Sequence, residues 1–383
     1  MNRLWFWKTV VFLVAGFLIV PARAAELQPL PDRADAIRTA IEKSRALIQA
    51  KQEERKIPGV SAAVAIDGRV VWSEGFGWAD LEQRIPVSPL TRFRIGSVSK
   101  TFAAVAAAAL VEQDRLDLDA PIQRYVPYFP EKRWTVTARQ LAGHMAGIRH
   151  YWDADFFGPL AGAPHFANVR EGLAIFSNDP LEFEPGTQSS YSSYGFNLLS
   201  AVVEGSAGRP YLDVIQQMIV EPLGLLATGA DHPYRIVPYR SRFYEWVEGE
   251  GAINAPFIDS SYKWAGGGFL STAEDLVRFA SALLKPGFLA EETLELLFTP
   301  QRIPGGDSTG VGLGWRVDRD AQNRRRFHHG GTIGGGGAIV LALRDEKVAV
   351  AIVTNQLPRF GNEEAGQIAG WFAGIALESE GRP

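Results

Sequence analysis

Between Val98 and Val111 the sequence VSKTFAAVAAAALV leaves hardly any polar face on a helical wheel, and a helix apolar all round is one buried inside a protein. Elsewhere the period changes. The run VSAAVAIDGRVVWSEGFG carries two β-rich segments on either side of Asp67-Gly68, the strongest short-range signal for a hairpin. Near the other end GLGWRVD, RRFHHGG and GAIVLALRDEKVAVAIVTN read as further strands, followed by an amphipathic helix over residues 363–377. A polar, helix-prone stretch over residues 33–56 precedes the first strand and is broken by Pro58-Gly59.

The middle of the chain is helical where it is periodic, over residues 194–205, 211–220 and 273–284, and rich in aromatic loops elsewhere. Ser271-Thr272-Ala273-Glu274 fits a capping box that opens the last of these helices. Antiparallel strands at both ends with helices between them predict an α/β fold: one antiparallel sheet formed from both chain ends and flanked by helices, interrupted by an inserted, mainly helical lobe. The expected division is residues 25–118 with 301–383 for the α/β domain and 119–300 for the lobe. A chain of 383 residues is long enough for this.

Residues 1–24 stand apart. Arg3 and Lys8 make a positive start, Val10 to Val20 an apolar run, and Ala22-Arg23-Ala24 a small-residue cleavage site, the pattern of a secretory signal. Export across the inner membrane to the periplasm is the expectation, with membrane attachment only if the segment stays uncut. The net charge is −4, and more negative still without Arg3, Lys8 and Arg23, which argues against a nucleic-acid partner. Six histidines without an H-E-x-x-H pattern give no metal site, and no cofactor is implied. The absence of cysteine removes a thiolate nucleophile. Composition leaves the oligomeric state open.

Ser97 and Lys100 open the apolar helix and, three residues apart, project from the same side. An N-cap explains a serine there but not a lysine, whose ammonium is disfavoured both by the positive end of the helix dipole and by burial. Both effects push the amine towards its neutral form, able to take a proton from a neighbouring hydroxyl, which makes an activated nucleophile without a histidine. The spacing is common, with about one S-x-x-K expected by chance in a chain of this length. Ser260-Ser261-Tyr262-Lys263 also fits, but nothing there reads as a helix to present it.

With S-x-x-K at Ser97, Tyr191-Ser192-Ser193 in FEPGTQSSYSSYGFNLLSAVVE and His329-Gly330-Gly331 on RRFHHGG, the chain resembles the serine beta-lactamase-like hydrolases. That family includes class C beta-lactamases, D-Ala-D-Ala peptidases and related esterases, and its motifs S-x-x-K, Y-x-N and K/H-x-G come in this order. The segments LDLDAPIQRYVPYFPEKRWTVTARQLAGHMAGIRHY and NAPFIDSSYKWAGGGFLSTAEDL look most like its mitochondrial beta-lactamase-like serine proteases. The resemblance implies Ser97 as nucleophile, Lys100 and Tyr191 as its proton partners, His329 as the cleft residue of the third motif, and the backbone N–H groups of Ser97 and Thr332 as oxyanion hole. Ser193, Gly330 and Gly331 are then expected to meet substrate. Strand alternation allows only one of His328 and His329 to line the cleft, and His144 is read as structural.

Three positions depart from the family pattern: Ser193 in place of Asn, Gly330 where beta-lactamases commonly have Thr, and His329 in place of Lys. Anionic beta-lactams lose three handles, so the resemblance implies a peptidase or esterase acting through an acyl-enzyme on a small-molecule or peptide substrate. A true beta-lactamase or D-Ala-D-Ala carboxypeptidase is the alternative, and a non-catalytic binding or assembly protein the rival from another class. Gly306-Asp307-Ser308-Thr309-Gly310 mimics a nucleophile elbow but lacks the strand before it and the helix after it.

Overall fold

The computed structural model describes residues 33–375, which fall in one compact unit. The secretory pattern of residues 1–24 lies outside the described residues. A helix, α1 (Arg33–Glu54), precedes the hairpin β1 (Gly59–Ile66) and β2 (Arg69–Asp80) and the short strand β3 (Ile85–Pro86). Asp67 and Gly68 take φ of 49° and 86°, the left-handed pair that a two-residue hairpin turn requires. Four strands return near the carboxyl end: β4 (Arg316–Arg319), β5 (Arg325–Ile333), β6 (Gly336–Leu343) and β7 (Val348–Thr354).

The seven strands form one antiparallel sheet in the order β3-β2-β1-β7-β6-β5-β4. The seam between the two chain ends is the β1–β7 pairing, from Val60 opposite Thr354 to Ile66 opposite Val348. Both faces of β1 are buried, and alternation sorts its side chains. Val60, Ala62, Val64 and Ile66 share a core with Ala40 and Ile48 of α1 and Ile368 and Phe372 of α5 (Asn362–Phe372). Ala63 and Ala65, with Ala349 and Ala351 of β7, line the other face, where their small size lets α4 (Ala273–Ala282) pack onto the sheet.

α2 (Ser99–Glu112) is buried on every side from Ser99 to Leu110, as its sequence requires. It packs on α3 (Ser193–Ala207), on the single turn Trp264–Gly267 and on the helix Glu291–Phe298. These partners, like α4, come from the stretch expected as the inserted lobe, and they pack on α2 across the boundary placed at residue 118. The cap of α4 also differs by one residue from the expectation: Thr272, not Ser271, accepts from the N–H of Asp275 at 3.1 Å. No helix among the described residues is long and apolar enough to cross a membrane.

Candidate active site

Ser97 lies in a 3₁₀ turn, Gly96–Val98, and not in the first turn of the helix, which starts at Ser99. Gly96 adopts φ +48°, a conformation that favours glycine. The turn presses on β5 backbone to backbone. A Cβ on Gly96 would fall 2.7 Å from Thr332 N, and one on Gly331 would fall 1.8 Å from Ile95 O and 3.0 Å from Ser97 N. The amides of Ser97 and Thr332 are therefore neighbours, the arrangement an oxyanion hole needs. Gly331 thus serves this contact instead of opening space for a substrate backbone.

Lys100 is fully buried, and among the described residues no carboxylate pairs with it. Its Nζ donates to Gly266 O at 2.5 Å, Ser193 Oγ at 2.9 Å and Ser97 Oγ at 3.0 Å. Burial pushes the amine below the usual lysine value, while Tyr191 opposes the fall. A carbonyl only accepts, so Gly266 holds one N–H of the amine whatever its charge, and the hydroxyls of Ser193 and Ser97 lie within reach of its other positions. Ser193, expected to grip substrate, is a buried residue that aims the lysine. Gly266 is held close because a Cβ there would meet Asn197 Oδ1 at 2.6 Å, and Asn197 accepts from its N–H at 3.2 Å.

Tyr191 stands over the same amine, its ring centroid 4.8 Å from Lys100 Nζ. Burial raises the phenol, but the charge of Lys100 and the polar side chains of Lys100, Ser97 and Ser193 lower it further, and the net value is below the ordinary one. Amine and phenol are both displaced towards sharing one proton. Two histidines hold the loop. His144, at φ 58°, accepts from Ser192 N at 3.1 Å and lies tilted against the Tyr191 ring, 4.5 Å between centroids. His150 accepts from Ser193 N at 3.2 Å, with its ring edge-on to Tyr191.

His329 is buried and bonded through Nδ1 to its neighbour's carbonyl, Gly330 O, at 2.8 Å. Burial and the charge of Lys100 bring it down to about 3, so it is neutral at physiological pH. His328 borders the same cavity of about 500 Å³, against the alternation rule. His328 reaches it beside β4, with its Nε2 3.2 Å from Asp318 Oδ2, and Arg316, Val317 and Asp318 of that strand line the same space. Two guanidinium groups, Arg316 and Arg359, line it with Tyr191. A Cβ on Gly330 would lie 2.2 Å from Arg359 Nη2, so the guanidinium fills the space beside this glycine. Among the described residues no group of three His, Cys, Asp or Glu is placed to hold a metal ion.

The buried histidines set an acid sensitivity. An unfolded histidine takes up its proton near 6.5, whereas folded His329 does so only near 3 and His150 only near 4. Between those values the unfolded chain binds more protons, so stability is full above about pH 6.5 and is lost as pH falls towards 3. His329→Gln is expected to flatten the drop in urea midpoint between about pH 7 and pH 4.5. Parallel curves for mutant and wild type would show that His329 is not the group responsible.

The decoys separate clearly. Ser308 is exposed, in an isolated antiparallel bridge to Arg302 with no helix after it. The second S-x-x-K is presented by more structure than expected, a 3₁₀ turn over Ser261–Lys263 running into Trp264–Gly267, but Ser260 Oγ is buried and without a hydrogen-bond partner.

Known proteins share this architecture. The mouse protein "Serine beta-lactamase-like protein LACTB, mitochondrial" (Mus musculus) is 34% identical over 87% of this chain and 78% of its own length. "Esterase EstB" of Burkholderia gladioli is 30% identical over 76% and 82%. Among solved structures, the octameric penicillin-binding protein homologue from Pyrococcus abyssi superposes with a TM-score of 0.74 at 26% identity, covering 85% of this chain and 75% of that one. The profile described as "Beta-lactamase" matches residues 45–370, a span that includes all three motifs and both sides of the cleft, and on that match this chain belongs to the beta-lactamase family.

Proposed function

We propose that the chain is a serine hydrolase that cleaves peptide amide or ester bonds through a covalent acyl-enzyme on Ser97. The observation that carries this is the buried amine of Lys100, 3.0 Å from Ser97 Oγ and without a carboxylate partner among the described residues. Retaining such a group costs stability, and a proton-accepting role accounts for it.

In the proposed cycle the Ser97 hydroxyl gives its proton to the Lys100–Tyr191 pair as Oγ attacks the substrate carbonyl. The N–H groups of Ser97 and Thr332 stabilise the oxyanion. Collapse of the tetrahedral species breaks the bond to the leaving group, which receives the proton from Tyr191. Water then repeats the sequence on the acyl-enzyme and restores Ser97. The leaving group departs on the Tyr191 side, into the cavity with Arg316 and Arg359, which suits one that carries a carboxylate.

A fluorophosphonate probe tests the nucleophile. Digestion and mass spectrometry should recover the adduct on the peptide bearing Ser97. An adduct at Ser308, or none on a folded sample, would overturn the assignment.

A further inference from the structure

The leaving group takes one end of β5; the other end meets a second cavity. It has a volume of about 540 Å³ and is walled by Phe156, Leu160, Phe257, Ile258 and Ile333, with the Lys263 side chain beside them. Ile333 and Gly334, which line this cavity, directly follow Thr332, the proposed oxyanion residue. Lys263 directly precedes the turn whose Gly266 carbonyl holds Lys100. The segment that orients the catalytic base therefore also carries the only cation that borders this apolar space among the described residues.

Lys263 makes no ion pair with a described carboxylate. Its amine lies over the Tyr262 ring at 5.2 Å and towards that of Tyr151 at 6.0 Å. One acid, Asp259, also lines the cavity, but its carboxylate is engaged by His165 at 2.8 Å and by the N–H of Ser261, and Asp231 binds Arg94 at 2.7 Å. Arg94 itself is held by Asp231 and by Gly334 O. Burial and the charges of Arg94 and Lys100 lower the Lys263 amine to about 7, with Asp231 opposing. An anion brought by a ligand restores its charge and supplies the missing partner.

We propose that this cavity receives the acyl half of the substrate, and that Lys263 selects acyl chains that are apolar along their length and end in a carboxylate. The inference rests on the reading of Ser97 as nucleophile, because that reading decides which half of the substrate stays behind. The walls remove the methylenes from water, and the amine at the side answers the terminal charge. A chain with no terminal charge fills the space but leaves the amine without an acceptor.

The test uses 4-nitrophenyl monoesters of adipic and suberic acid beside the neutral hexanoate and octanoate esters. In the wild-type protein the better diacid monoester is expected to exceed its neutral counterpart in kcat/KM by about tenfold or more, as a charge-assisted hydrogen bond in an apolar site allows. In Lys263→Met that ratio is expected to fall to about one through KM, and Lys263→Arg is expected to restore part of it. If the methionine variant does not fold, Lys263→Gln carries the same comparison, since it also removes the charge. A wild-type ratio of one or below, or a ratio that survives in both Lys263→Met and Lys263→Gln, overturns the proposal. Ser97→Ala is run on the octanoate ester in parallel. Its loss of turnover upholds the nucleophile whatever the ratios show, so the two ideas fail separately.

Discussion

Ser97→Ala is expected to hydrolyse an activated aryl ester at least about a thousandfold more slowly than the wild-type chain, with an unchanged melting temperature. The size follows from the arrangement around Lys100. Removing Oγ leaves the amine bonded to Ser193 and Gly266 and leaves the oxyanion amides in place, but nothing remains to form the ester intermediate. Stability is spared because the substitution deletes one oxygen at the mouth of the site and adds no atom. Stopped-flow absorbance measures the rate, and circular dichroism the melt. A mutant that keeps more than a tenth of wild-type activity would mean that another group attacks the substrate, and a non-catalytic role for the fold would follow if the wild type itself shows no turnover on esters, peptide amides or nitrocefin.

The second large effect concerns a residue with no side chain. Gly331→Ala drives a methyl group to 1.8 Å from Ile95 O, with Ser97 N at 3.0 Å. Both neighbours are backbone, fixed by the sheet on one side and the turn on the other, so neither yields as a side chain would. The expected cost is about 3 kcal/mol or more, with loss of activity in whatever fraction stays folded, because the oxyanion amides are forced apart. Gly330→Ala is the matched comparison. Its new methyl meets the guanidinium of Arg359, the far end of a flexible side chain, and the expected cost is below about 1 kcal/mol. Urea midpoints of the two variants measured side by side decide the matter, and equal stability would refute the contact between turn and strand.

The candidate nucleophile was legible because two facts about the sequence stand in tension: a lysine, and a helix with no polar face to carry it. The hairpin at Asp67-Gly68 and the strands at both ends were legible for a similar reason, since turn chemistry and period agree there. What escaped were contacts made by backbone. Nothing in the order of residues says that Gly331 touches Ile95, that Gly266 offers its carbonyl to Lys100, or that Arg359 reaches over Gly330 from a loop well beyond the third motif. His150 was hidden in one of the aromatic loops, where nothing in the pattern singles it out. Ser193 was assigned to substrate by analogy with a longer asparagine. The shorter side chain is buried against Lys100, 2.9 Å from its Nζ, and that placement is readable only once the helix and loop are in place.

The seam between β1 and β7 has a consequence in time. A ribosome makes the serine and lysine within the first third of the polypeptide, yet the amide of Thr332 and the strand spanning Val348–Thr354 come close to the end. Until those last segments emerge, the early strands have no partner on that side and the hydroxyl has no hole to serve. Pairings of such long separation are slow to form. On the proposed mechanism a growing or truncated chain is thus inert, because the site is assembled only with completion.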